Sequence, residues 1–208
     1  MNALAPLSRF ALAARRAAAP PSCELCSAPL SEAHRHVVDR EARKLLCACR
    51  CCALLFSDTT RGKFRTVPER VRIDPWWTMS EERWRALGIP VRLAFIVYPS
   101  HLGRWVALLP GPAGVTEAEI NPAAWAAVLR ESALAASVER DVEALLVRGR
   151  RDGRLECFAA PVDVCYELTA VTRTASRGVD GGDDARVAIE KFFARLTSRG
   201  SSELGRHS

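Results

Sequence analysis

Two Cys-x-x-Cys pairs, Cys23-Glu24-Leu25-Cys26 and Cys49-Arg50-Cys51-Cys52, stand 22 residues apart near the start of the chain. Such a turn sets two sulfurs on one side of a tight knuckle, and two facing pairs complete a tetrahedron around a metal with bonds of about 2.3 Å. A segment this short buries little apolar surface. Metal binding therefore supplies its folding free energy, of order 10 kcal/mol or more for structural zinc in small peptides. The intervening chain can bring the two pairs together, because residues 34–38 and 43–47 are strand-like, with residues 39–42 as the turn between them. The layout predicted is knuckle, hairpin, knuckle, a zinc-ribbon-like (rubredoxin-like) module over residues 22–56. Its metal ligands are Cys23, Cys26, Cys49 and Cys52, because Cys49 and Cys52 repeat the spacing of the first pair; Cys47 and Cys51 are the alternates. Zinc is the expected ion, and iron is the alternative, since tetrahedral sulfur sites accept both.

The chain holds eight cysteines, and six of them fall in this window. In a secreted domain that count would suggest disulfides, but the first 21 residues carry Arg15 and Arg16 where an export signal needs an apolar run. They read as a flexible or helical lead-in, and the protein as cytoplasmic. No stretch reaches the roughly 20 apolar residues of a membrane span.

Charge narrows the partner class. Residues 1–75 carry thirteen basic and seven acidic side chains, and residues 76–208 carry seventeen of each. A four-thiolate site with a divalent cation adds about −2 to the basic third. Arg35, Arg40, Arg43, Lys44 and Arg50 are interleaved with Glu24, Glu32, Asp39 and Glu41, the pattern of a solvated mixed face rather than a nucleic-acid arm. A nucleic-acid role is a weaker alternative, and a protein partner is expected.

Residues 57–63 read as a linker, and residues 64–197 as a second, α+β region. Residues 64–73 are strand-like but interrupted by Pro68, which suits an edge. Thr78 and Glu81 have capping-box spacing ahead of a short helix that Gly88 and Pro90 stop. Two apolar segments flanking residues 99–103 predict a strand pair, and residues 141–148 and 154–159 flanking Gly149-Arg150-Arg151-Asp152-Gly153 predict a second. Asn121-Pro122 is an N-cap and first-turn pair for a helix through residue 131. Residues 161–173 and 185–196 have helical apolar spacing. The glycine-rich residues 177–184 read as a loop ending in an acidic cap, and residues 198–208 as a disordered tail. Trp76, Trp77 and Trp84 are expected in the core of this region or in its contact with the ribbon.

Catalytic readings are thin. His101 and Cys165 would make a Cys–His pair only if the fold joined them, and a cysteine on an apolar helix face is ordinarily core. The order CxxC, His34-Arg35-His36-Val37, CxxC is also similar to zinc-bound HNH nucleases, but no histidine occurs between His36 and His101 to complete such a site. His34 and His36 are read as hairpin-face residues, and the chain as a non-enzyme.

The segments 23–30, 34–39, 45–56, 88–95, 141–147 and 161–168, with the late Phe192-Phe193, resemble an uncharacterised bacterial family found near [NiFe]-hydrogenase gene clusters. Where a Trp-Arg-Gly stretch is expected, this chain has Ala175-Ser176-Arg177-Gly178. The resemblance implies an accessory role in maturation, assembly or electron delivery, with a hydrogenase subunit or maturation factor as partner. The reading drawn is a metal-binding accessory or assembly protein whose four-cysteine zinc site is an interaction platform. A rubredoxin-like iron redox protein is the alternative.

Overall fold

The computed structural model describes residues 21–57, 62–150, 152–175 and 181–200. The lead-in through residue 20, residues 58–61 of the expected linker, the first part of the expected glycine-rich loop (residues 177–180) and residues 201–208 of the expected tail lie outside them.

The N-terminal module is built on a hairpin of β1 (Arg35–Asp39) and β2 (Lys44–Ala48), followed by a short helix α1 (Arg50–Leu55). Asp39 ends β1 and accepts from the Glu41 and Ala42 N–H groups at 3.0 and 2.9 Å, which folds the turn; Arg43 takes a positive φ of 54° to leave it. A third strand, β3 (Phe64–Thr66), pairs antiparallel with β1, so the sheet order is β2-β1-β3. Residues 64–66 thus extend the N-terminal module's sheet.

β4 (Arg72–Ile73) follows, and Pro68 separates the two short strands, each at the edge of a different sheet. After α2 (Glu81–Ala86) and β5 (Leu93–Val97) come β6 (Val106–Gly111) and β7 (Gly114–Glu119), then α3 (Pro122–Glu131) and α4 (Ala133–Ala136). The chain closes with β8 (Glu143–Gly149), β9 (Leu155–Pro161), α5 (Val162–Ala175) and α6 (Gly181–Arg199). β4 to β9 form one antiparallel sheet in the order β4-β9-β8-β5-β6-β7. Both predicted strand pairs are present, in register Ile96↔Ala107 and Leu146↔Phe158.

Alternation splits this sheet's core in two. Ala94, Ile96, Leu145 and Val147 face α2, α3 and α4, packing with Trp84, Trp125, Val128 and Leu134. Phe95, Val97, Leu146 and Phe158 face α5 and α6, packing with Val164, Leu168, Phe192 and Phe193. A sheet covered on both sides needs strands without polar alternation, which is why β8 and β9 read as nearly continuous apolar runs. The chain is therefore a mixed α/β protein with a small three-stranded N-terminal module and a larger layered body.

Four local expectations differ. The cap of α2 is Ser80, whose Oγ accepts from the Arg83 N–H at 3.2 Å, and not Thr78; Thr78 lies one residue before Met79, which bridges to Leu155. Trp76 is 88 % exposed, while Trp84 is buried with its Nε1–H donating to Val91 O at 3.0 Å. Ser198 and Arg199, expected in the tail, finish α6, and residues 181–184, expected in the glycine-rich loop, begin it.

Ion pairs join module and body. The Arg40 guanidinium meets Asp141 at 2.9 Å, and Arg65 donates to Arg140 O at 2.8 Å and pairs with Glu139. Glu143, wholly buried, accepts from Arg72 at 2.5 Å and from the Glu139 N–H at 2.9 Å.

Candidate metal centre

The first cysteine pair sits in a true knuckle. The Ser27 N–H donates to Cys23 O at 2.8 Å, the Cys23 N–H donates to Ala28 O at 2.8 Å, and Ser27 turns the chain with φ of 61°. Glu24 fastens this loop to β2. Its N–H donates to Cys47 O at 2.9 Å, and its carboxylate accepts from the Cys47 N–H and from Lys44 Nζ, each at 2.7 Å.

The second pair is not a knuckle. Cys49 caps α1, its Sγ accepting from the Cys52 N–H at 3.4 Å, and Cys52 lies in the first helical turn. The layout is knuckle, hairpin, helix rather than knuckle, hairpin, knuckle. The physical reason lies in residues 50–55, Arg-Cys-Cys-Ala-Leu-Leu, which hold no glycine or proline to break a helix, while a sulfur at Cys49 takes over the capping role of an oxygen.

The four sulfurs of Cys23, Cys26, Cys49 and Cys52 lie within 4.8 Å of one another, with Cys26 and Cys49 Sγ 3.6 Å apart. A tetrahedron with metal–sulfur bonds of about 2.3 Å needs edges of about 3.8 Å. The cluster is thus within a few tenths of an ångström to one ångström of the required shape. Cys23 and Cys52 are buried beside Val37 and Ala48, whereas Cys26 is at the surface.

Protons divide unevenly among these sulfurs. Burial resists ionisation of Cys23, but N–H groups of Cys49, Leu25 and Cys26 outweigh it and bring the thiol down to about 6. The Cys52 N–H lowers Cys49 in the same way. Cys26 gains from the Ala28 N–H, yet sharing its proton with Cys23 and Cys49 pushes it up. Cys52 is pushed up further, first by sharing a proton with Cys26 and then by burial. Adjacent sulfurs cannot all carry charge unaided, and a divalent cation is the group that would let all four ionise.

The remaining cysteines lie elsewhere. Cys51 is exposed on α1, and Cys47 stands opposite His36 across the hairpin. Cys157 and Cys165 are core residues whose thiols burial raises, Cys157 to about 12. His101 and Cys165 do line one cavity, of about 190 Å³, between the hairpin and the body. Burial, and after it the Asp163 carboxylate, push the Cys165 thiol up, which weighs against its use as a nucleophile.

Sequence reasoning missed the helix at the second pair and the pairing of the strand at residues 64–66 with β1 rather than with the body's sheet. The Arg50–Leu55 run is compatible with a helix, but the CxxC spacing within it favours a second turn. Among the described residues no helix is long and apolar enough to cross a membrane. No curated protein and no solved structure matches the chain. The model of a family of unknown function, DUF5947, matches residues 22–200, from the first knuckle through the end of α6, and the chain belongs to that family.

Proposed function

We propose that this protein is a metal-binding accessory or assembly factor in which a four-cysteine zinc site holds a small module in shape for binding a protein partner. The convergence of Cys23, Cys26, Cys49 and Cys52 within 4.8 Å carries the reading, because four sulfurs closed around one point leave no coordination position for a substrate. Beside that point, Leu54 and Leu55 project from α1 with 62 % and 72 % of their surface exposed. Two adjacent exposed leucines on a helix anchored by metal ligands suit a docking surface. A hydrogenase subunit or maturation factor is the proposed partner, on the strength of the sequence resemblance.

The exposure of Cys26 favours one second reading, an iron site that exchanges electrons through a surface ligand. Metal analysis with a visible spectrum separates the two. A colourless protein with zinc bound to the four cysteines supports the platform; a coloured, reducible iron site replaces it. Co-purification with hydrogenase subunits, lost on Leu54→Glu with Leu55→Glu while zinc is retained, tests the docking surface. Equal recovery of those subunits with both versions would refute it.

A further inference from the structure

The opposite face of the same hairpin carries a second set of donors. His34 immediately precedes β1, its ring lies 5.0 Å from that of His36, and Cys47 is the cross-strand partner of His36, on the same face of the hairpin. Val37 and Ala48, on the other face, pack on the four-cysteine cluster. One ring nitrogen of each histidine and the Cys47 sulfur lie within 4.8 Å of one another.

The histidine hydrogen bonds define which nitrogens are available. His34 Nδ1 lies 3.0 Å from Ser31 O and 3.1 Å from Glu32 O; carbonyls only accept, so Nδ1 carries the proton. His36 Nδ1 lies 3.0 Å from Asp163 Oδ2 and donates to it. That carboxylate is itself held from behind, since Asp163 Oδ1 accepts from the Val164 N–H at 2.8 Å. Both rings therefore present Nε2 as a lone pair. His34 Nε2 is buried and has no hydrogen-bond partner. A histidine packed merely as core would be expected to pair that atom, because an unsatisfied buried polar group costs about 1–3 kcal/mol. An imidazole whose far N–H is fixed by a carbonyl or carboxylate while its near nitrogen is free is the arrangement of a metal ligand.

The geometry points to a second metal site, in which His34 Nε2, His36 Nε2 and Cys47 Sγ bind a borderline divalent transition-metal ion such as Zn²⁺. Two imidazoles and a thiolate suit Zn²⁺ and exclude the hard cations Mg²⁺ and Ca²⁺, which take oxygen donors. Three protein ligands leave the fourth position open, unlike the closed four-cysteine site. Both histidines also line a cleft of about 400 Å³ shared with Asp163, Val164 and Glu167 of α5, through which the ion and an exogenous fourth ligand can enter. Because Asp163 belongs to the body, loading this site also braces the hairpin against α5.

The test is Zn²⁺ binding to the full chain against a competing chromophoric chelator, with X-ray absorption at the zinc edge. The wild-type protein is expected to take up two ions, with imidazole and sulfur scattering together. His34→Ala, His36→Gln and Cys47→Ser should each take up one ion in a sulfur-only shell, and that retained ion reports that the module is folded. Asp163→Asn should weaken the second ion about 10- to 100-fold without lowering the saturating count. Saturation of the wild-type chain at one ion in a sulfur-only shell overturns the proposal, as do two ions in all three ligand variants. One ion in a mixed imidazole–sulfur shell, lost with those variants, would instead uphold this site and refute the four-cysteine reading.

Discussion

Removal of metal from the four-cysteine site tests the division of labour between module and body. The module's fully buried apolar side chains are Val37 and Ala48, with Leu46 at 8 % exposure and the Phe56 and Phe64 rings 5.1 Å apart at its margin. A buried valine or leucine contributes about 1.5–3 kcal/mol, whereas structural zinc contributes of order 10 kcal/mol in small peptides. The ion pairs of Arg40 and Arg65 with Asp141 and Glu139 orient the module but do not substitute for a core. Chelation should therefore unfold the module locally. If even about 4 kcal/mol of its stability goes, opening rises roughly a thousandfold, at 1.4 kcal/mol per tenfold. Hydrogen exchange by mass spectrometry, with and without a strong chelator, reads this directly. The amides of Cys23, Glu24 and Ser27, each bonded to a backbone carbonyl within the module, should lose their protection. Those of Leu145 and Leu146, in the centre of the six-stranded sheet, should change less than tenfold. Equal loss across both segments would refute the argument, since it would make the metal site part of one cooperative core; unchanged protection at Cys23 and Ser27 would refute the metal's structural role.

The cysteine series should divide by location. Cys23→Ser, Cys26→Ser, Cys49→Ser and Cys52→Ser lower the metal content of the four-sulfur site, while Cys51→Ser, exposed and outside the cluster, and the core variants Cys157→Ser and Cys165→Ser leave it unchanged by elemental analysis. Glu143→Gln should cost about 3–5 kcal/mol in urea unfolding, because it leaves the buried Arg72 guanidinium without its counter-charge; a loss below about 1 kcal/mol would show that this pair contributes little. Burial opposes ionisation of Glu156, but Arg150 and Arg148 offset it and hold the carboxyl below its ordinary 4.5. That depression stabilises the fold fully above the unfolded value and is lost as pH falls through the lower folded one. The advantage of wild type over Glu156→Gln in urea midpoint should therefore shrink below about pH 4.5, and a constant difference from about pH 6 to pH 3 would contradict the assignment.

Much of this protein follows from local pattern. The Cys-x-x-Cys spacing picked out the four sulfurs that converge, Asn121-Pro122 announced α3 with its side chain accepting from the Ala123 and Ala124 N–H groups, and the apolar runs of β8 and β9 announced a strand pair. These are signals carried by neighbours in sequence, where turn geometry, capping and periodicity act within a few residues. Pairing is different. That β3 joins β1 and not the body's sheet, and that β4 lies beside β9, depends on contacts between distant strands. The helical form of Arg50–Leu55 was open to two local readings, and packing of Cys52 and Ala53 inward decided it. The His34, His36 and Cys47 grouping needed the cross-strand register, and its anchoring needed Asp163, 127 residues from His36. A one-residue slip of that register would send Cys47 to the opposite face, so no reading of β1 and β2 separately could have joined these three side chains.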